Sequence, residues 1–369
     1  MSTAREVRQA IATSHIIADM AFLRRFGEDL RGRQQETAVP VMSFTSYIFL
    51  LVHESARYIR RLGPEYAMLT EVVHAAQIEA GRHSIKIFDD TERGYAGVTE
   101  FFESGVIPAE RRYFIDKVRF KLGGLLGNDL GIYTYDGKVI STTHTLQFSW
   151  GLQPGTREAQ EWGPMLFEAS RQCGQYVAAI ADNVDWRGPS FLNALDLAKI
   201  KNRDTVAAKY YKRSFDQIIT EGLSATLTAV MANLNVLNSL ISLDHLGQSA
   251  PTISKLHYIT LRHATRALQE VRSRYHSSLS DYSLEQLSHA LDNDPAREVT
   301  QADDPGLRNS LLHYGISKRT PVDKLSVSRP LYGLVETFFP NLTFETFRQM
   351  VLAQSERLSA ILNTWAGPG

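Results

Sequence analysis

Arg308, Asn309 and His313 lie within the run Asp303 to Arg319, which reads DDPGLRNSLLHYGISKR. Asp303 or Asp304 can cap a helix, Pro305 suits its first turn and Gly315 is placed to end it, so the three residues are expected on one short helix. Asn309 and His313, four apart, are neighbours on one face. Arg308 and His313, five apart, stand roughly 140° around an ideal helix. Only the reach of the arginine, or a distortion of the helix, brings both to one ligand. Arginine offers planar, permanently charged donors suited to phosphate oxygens, here close to a helix N-terminus that also favours negative charge. Histidine exchanges protons near neutral pH, and toward a helix C-terminus the dipole favours the imidazolium, a general acid beside a leaving oxygen. Such a group could bind and cut a phosphodiester. The ordinary alternative has Arg308 pairing with Asp303 or Asp304 and His313 capping carbonyls at the helix end.

The surrounding residues can be read the same way. Lys318, Arg319, Lys324 and Arg329 follow the motif in a proline-containing loop and offer phosphate contacts. Tyr314 is placed to stack on a base or to support His313. On the preceding helix His257, Arg262, His263 and Arg266 form a polar cluster, in which Arg262 and Arg266 share a face that could line an RNA groove. For each of these a solvated or packed role is the plain alternative.

A second constellation lies in the first half: His53-Glu54, then Glu71, His74, Glu79 and His83, followed by Asp89-Asp90. Glu71 and His74 have the Glu-x-x-His spacing of di-iron carboxylate bundles, since three residues along a helix puts both ligands on one side. A complete site needs a second such pair, and none is present, although Glu54, Glu100 and Glu103 could add carboxylates. Polar residues on an amphipathic helix are the favoured reading there, with a di-iron-type metalloenzyme as an alternative. No phosphate-cradling P-loop, dinucleotide fingerprint or Gly-x-Ser-x-Gly elbow occurs in the chain.

The string Leu307-Arg308-Asn309-Ser310-Leu311-Leu312-His313-Tyr314 resembles the arginine, polar residue, spacer and histidine signature of the HEPN superfamily. Its order of elements is similar too: the motif helix lies between long helices expected at about 207–243 and 253–279 and a last one at 344–365. The resemblance covers roughly residues 204–365. It implies an α-helical bundle, a metal-independent RNA endonuclease of toxin or antiviral-defence type, Arg308 and His313 as the cleaving pair with Asn309 beside them, and no cofactor. It further implies a homodimer with a composite active site, RNA as partner, and an antitoxin or regulatory protein as a possible second partner. Inactive members of the superfamily serve as binding modules, so a non-catalytic RNA-, nucleotide- or protein-binding role is the main rival expectation.

Positioning these residues calls for a mainly α protein. Apolar residues recur three or four apart near 2–33, 42–62, 65–90, 109–126, 155–182, 204–243, 252–279 and 343–365. The exception is 131–150, where Asp136-Gly137 between β-prone flanks signals a hairpin. Turn formers in Asp182 to Pro189 suggest a boundary between a helical N-terminal domain (1–185) carrying the hairpin and a HEPN-like C-terminal bundle (186–369). Gly222 to Leu243 lacks a charge over a length that could cross a bilayer, but it carries Asn233, Asn235 and Asn238, which fits a helix buried in protein.

The chain of 369 residues has 40 basic and 40 acidic side chains, which removes the electrostatic case for a protein that coats nucleic acid unselectively. Any RNA contact must be local. One cysteine, Cys173, excludes an intrachain disulfide and a cysteine-rich zinc site, and a cytoplasmic setting with no membrane partner is expected.

Overall fold

Thr3 opens the first helix through a reciprocal cap: its hydroxyl accepts the Glu6 amide at 3.3 Å, and its own amide donates to the Glu6 carboxylate at 2.8 Å. Two amides that a helix start leaves without partners are satisfied in this way. The computed structural model describes residues 3–31, 38–89, 94–112, 127–154, 159–182, 184, 195–241, 247–301 and 306–367. Helix α1 (Ala4–Leu30) is followed by α2 (Ala38–Arg60) and the short helices α3 (Ala67–Glu71), α4 (Ala76–Gly81) and α5 (His83–Lys86). Then α6 (Gly94–Glu100) passes through a π-helical turn at Phe101–Val106 into α7 (Ile107–Arg111).

The Asp-Gly signal gives a hairpin as expected. Strands β1 (Leu130–Tyr135) and β2 (Lys138–Thr142) pair antiparallel, and Asp136 and Gly137 take φ of 50° and 79°, the left-handed pair of a tight hairpin turn. Beyond it, Thr142 caps a helix, accepting the Thr145 amide at 3.1 Å, so 143–149 is α8 (Thr143–Ser149) rather than strand. Helix α9 (Ala159–Ala181) precedes a third strand, β3 (Ile200–Thr205), which pairs antiparallel with β1 to give the order β2-β1-β3. Its sequence, IKNRDT, has little apolar content and is solvent-facing at Lys201, Asn202, Arg203 and Asp204, as an edge strand tolerates.

The remainder is helical: α10 (Ala207–Arg213), α11 (Glu221–Leu240), α12 (Ala250–Tyr275), α13 (Asp281–Leu291), α14 (Asp294–Gln301), α15 (Gly306–His313), α16 (Leu334–Phe338) and α17 (Phe344–Ala366). The protein is mainly α with one small three-stranded antiparallel sheet. Helix α11 is the element buried on nearly every side, between α12, α17 and β2. Its asparagines are used by α5, β2 and α17. Asn233 Nδ2 donates to Ser84 O at 3.0 Å, Asn235 Nδ2 to Val139 O at 2.8 Å and Asn238 Nδ2 to Ser355 O at 3.0 Å. No helix among the described residues is long and apolar enough to cross a membrane.

Helix α2 touches α1, α3, α4, α5, α8, α9, α11 and α15, which makes it the platform on which residues from both ends of the chain meet. The buried apolar side chains of first and second half form one core cluster. Most of the proposed boundary segment 182–189 lies outside the described residues, as do the expected helical residues 113–126.

Two expected helices are interrupted. Segment 65–90 breaks after α3 because Gln172 of α9 captures the amides of His74 and Ala75 at 2.9 and 2.8 Å, replacing the next turn's hydrogen bonds. Segment 204–243 is divided into β3, α10 and α11, with Thr220 restarting the helix by accepting the Leu223 amide at 3.2 Å.

Candidate functional site

Glu54 of α2 is 1% exposed, and its two oxygens hold three elements together. Oε1 accepts Arg82 Nη1 at 2.9 Å, from the turn between α4 and α5, and Lys86 Nζ at 3.4 Å, from the end of α5. Oε2 accepts His313 Nδ1 at 2.6 Å, from the last residue of α15. Arg57 Nη1 stands 4.0 Å from the same oxygen. The histidine of the RN-x3-H string and the glutamate of the His53-Glu54 pair therefore belong to one site.

The electrostatics follow from burial. Desolvation alone would raise the Glu54 carboxyl, but the His313 hydrogen bond and the charges of Lys86 and Arg82 outweigh it and hold the group ionised, below its ordinary range. His313 is pushed down, first by burial and further by Lys86 and Arg308; Glu54 pulls it up without overcoming this. The neutral imidazole with its proton on Nδ1 is the species that fits. This corrects the expectation that the helix C-terminus would favour an imidazolium: burial among cations outweighs a half charge at a helix end. His53, beside Glu54 in the chain, is lowered to about 3 by burial and then by Arg82, so it too is neutral. Arg57, Arg82 and Lys86 surround a single carboxylate, and the charge of Arg308 is felt at Lys86, leaving local positive charge in a chain of zero net charge.

Lys86 and His313 are each followed by a non-glycine residue in the left-handed region: Ile87 at φ 47°, ψ −116° and Tyr314 at φ 57°. For a β-branched isoleucine this is an outlier, worth about 1–3 kcal/mol of strain that the surroundings must hold. Tyr314 shows how. Its hydroxyl donates to Asp19 Oδ2 at 2.7 Å and accepts from Lys255 Nζ at 3.3 Å, while Asp19 and Lys255 form a buried ion pair with Thr252 and His15 alongside. The His15 imidazole, lowered to about 3 mainly by burial, completes the cluster uncharged.

Tyr314 rather than Gly315 thus ends the motif helix, because its side chain is anchored in the core. The expectation that Tyr314 stacks on a base is corrected: it is 1% exposed and its hydroxyl is held in the interior by Asp19 and Lys255. Residues 303–305, with the expected acidic cap and proline, lie outside the described residues.

Arg308 and Asn309 are half-buried, and Arg308 Nη1 donates to Asn309 Oδ1 at 3.0 Å. The charge of Arg308 is felt at both Lys86 and His313, as a minor contribution beside burial. Lys318 and Arg319 are exposed in the loop after α15, which Arg8 of α1 pins by donating to Lys318 O at 2.9 Å and Thr320 O at 3.1 Å. The polar cluster on α12 is mostly interior. His257, Arg262 and His263 are buried and only Arg266 is exposed, so Arg262 is removed from any groove and lies against Tyr258.

The Glu-x-x-His arrangement does not form. Helix α3 stops at Glu71, His74 Nδ1 faces the Glu71 carbonyl at 3.0 Å, and His74 Nε2 faces Gln172 Nε2 at 3.0 Å. Among the described residues no three His, Cys, Asp or Glu side chains are grouped to hold a metal ion.

Arg82 and Lys86 were missed by the sequence reading, and Glu54 was noticed only as a spare carboxylate. The one local signal was the unusual density of His, Glu and Arg along 53–86. No protein-family model, curated protein or solved structure matches the chain.

Proposed function

We propose that the chain is a metal-independent RNA endonuclease of toxin or defence type, with Arg308 and His313 as its catalytic pair and Asn309 orienting the arginine. The observation that carries this reading is a neutral, 28%-exposed His313 hydrogen-bonded to a buried carboxylate at the end of the same two-turn helix that carries half-buried Arg308. Guanidinium and ammonium groups suit a phosphate, and an imidazole with a free Nε2 lone pair suits proton removal.

In the reaction, the RNA 2'-hydroxyl gives its proton to His313 Nε2 as its oxygen bonds to phosphorus. The P–O5' bond breaks, and the 5'-oxygen takes a proton from solvent. A 2',3'-cyclic phosphate and a 5'-hydroxyl result, the imidazolium returns its proton to solvent, and Arg308 stabilises charge developing on the non-bridging oxygens. Exposed Lys318, Arg319 and Arg266 would track the flanking phosphates. Following the HEPN resemblance, two chains would place two such helices across one RNA, and an antitoxin-like protein would cover the same face.

Incubation of the purified chain with structured and unstructured RNAs in EDTA tests this. Cleavage that disappears in His313→Ala and Arg308→Ala supports it. No cleavage across a broad panel, or equal cleavage by all three proteins, removes it, and binding without cleavage would leave the non-catalytic module in its place.

A further inference from the structure

We infer that Glu54 is the positioning residue of His313, fixing its ring orientation and tautomer so that Nε2 is the nitrogen presented to substrate. This rests on the nuclease reading for its purpose but not for its test.

The geometry carries it. A carboxylate 2.6 Å from one ring nitrogen accepts that nitrogen's hydrogen, and the lone pair is then confined to the other nitrogen. Glu54 is itself held: Oε1 is occupied by Arg82 and Lys86, which come from a different part of the chain than His313. It cannot swing away without abandoning those donors in the interior. The ring is therefore oriented by a group locked in the core of α2, while α15 contributes only the ring. The charged and titratable groups around this pair are His53 and Arg57 of α2, Arg82 and Lys86 beside α5, Arg308 and Tyr314 at α15, and Lys255 of α12 with its partner Asp19. Glu54 is the carboxylate in contact with the ring and the group that opposes loss of the imidazolium's proton, so removing it should ease that loss. Left-handed Tyr314, tied to Asp19, fixes the other end of the helix turn from which the ring projects.

The test uses the full-length chain labelled with nitrogen-15, with ring signals of His313 assigned by their absence in His313→Gln. The proposal requires a wild-type His313 with Nδ1 protonated and Nε2 bare across neutral pH. In Glu54→Met, where no acceptor remains, the ring should pass to a mixture of tautomers and titrate at lower pH. Since Glu54→Met strands Arg82 and Lys86 and could fail to fold, Glu54→Met/Arg82→Met/Lys86→Met provides the same tautomer readout without the stranded charges. Unchanged tautomer and titration in a folded variant would overturn the proposal whether or not any RNA is cut. If RNA is cut, kcat should fall by about 10-fold to 100-fold with KM little changed, and the acidic limb of the pH–rate profile should move. A change confined to KM would equally overturn it.

Discussion

Glu54 Oε2 and His313 Nδ1 are 2.6 Å apart although the residues are separated by 259 positions in the chain. One sits in the middle of a long helix of the first half, the other at the end of a two-turn helix near the C-terminus. Burying a carboxylate at 1% exposure is costly unless donors surround it, and three donors from two other segments do so here. A fold that needed only stability could have placed a leucine there. The carboxylate makes sense as part of a site whose opposite side is partly open to solvent at His313.

Replacing the proposed catalytic pair is expected to act on rate rather than on fold. His313→Ala and Arg308→Ala should each lower RNA cleavage by about 10²-fold to 10⁴-fold. Arg308→Lys should not restore it, because an ammonium lacks the planar fork that spans two phosphate oxygens. Arg308 is half-buried at the edge of the core, so Arg308→Ala should leave circular dichroism and the thermal midpoint little changed, whereas His313→Ala takes a donor from buried Glu54 and should lower the midpoint while the helical content is kept. Loss of helix in step with loss of activity would refute the assignment.

If two chains share one active cleft, inactive variants should complement each other. Mixing Arg308→Ala chains with His313→Ala chains, after exchange, should recover a substantial part of the wild-type rate, since a hetero-pair retains one intact arginine and one intact histidine. Sedimentation of the mixture should show dimers in the same concentration range. Wild-type activity per chain that stays constant on dilution to monomer would rule out the shared cleft and leave a site complete within one chain.

Legibility in the sequence tracked how local the determinants are. Asp136-Gly137 set a turn through the backbone conformations of two residues, and the hairpin was readable. The apolar period of α11 and its asparagines together announced a helix inside protein. The break after Glu71 was not readable, because Gln172 causes it from 97 and 98 positions away. For the same reason Glu54 and His313 read as two unrelated constellations, and nothing near Tyr314 in the chain pointed to Asp19 and Lys255 as its anchors. Gly315 had the right chemistry to end the helix, but anchoring of Tyr314 by Asp19 and Lys255 decided the matter.

The ion pair of Asp19 and Lys255 gives a stability prediction independent of function. Both side chains are essentially inaccessible, so Lys255→Met alone should destabilise the protein by about 3–5 kcal/mol, stranding a carboxylate in the interior. Asp19→Leu/Lys255→Met should recover most of that loss, since the pair's attraction is offset by its desolvation. Urea unfolding of the two proteins distinguishes these outcomes. A double variant no more stable than the single one would mean that Tyr314, deprived of its partners, releases the left-handed turn after His313.

Glu110 provides the pH dependence. Burial first, and the neighbouring Asp129 charge second, raise its carboxyl to about 7, and Gln147 donates to it from α8. The folded protein therefore keeps a proton that the unfolded chain gives up near 4.5. Folding takes up that proton between those two values, so this contribution is complete below the unfolded value and is lost as pH rises toward 7, with little change above it. The loss amounts to at most about 3 kcal/mol across the window. Glu110→Gln keeps an acceptor for Gln147 and cannot ionise. It should match the wild type near pH 4.5 and exceed it in stability at pH 8, as read from urea midpoints at the two pH values. Equal midpoints at pH 8 would show that the Glu110 carboxylate is accommodated without cost, and that its titration does not set the alkaline side of the stability curve.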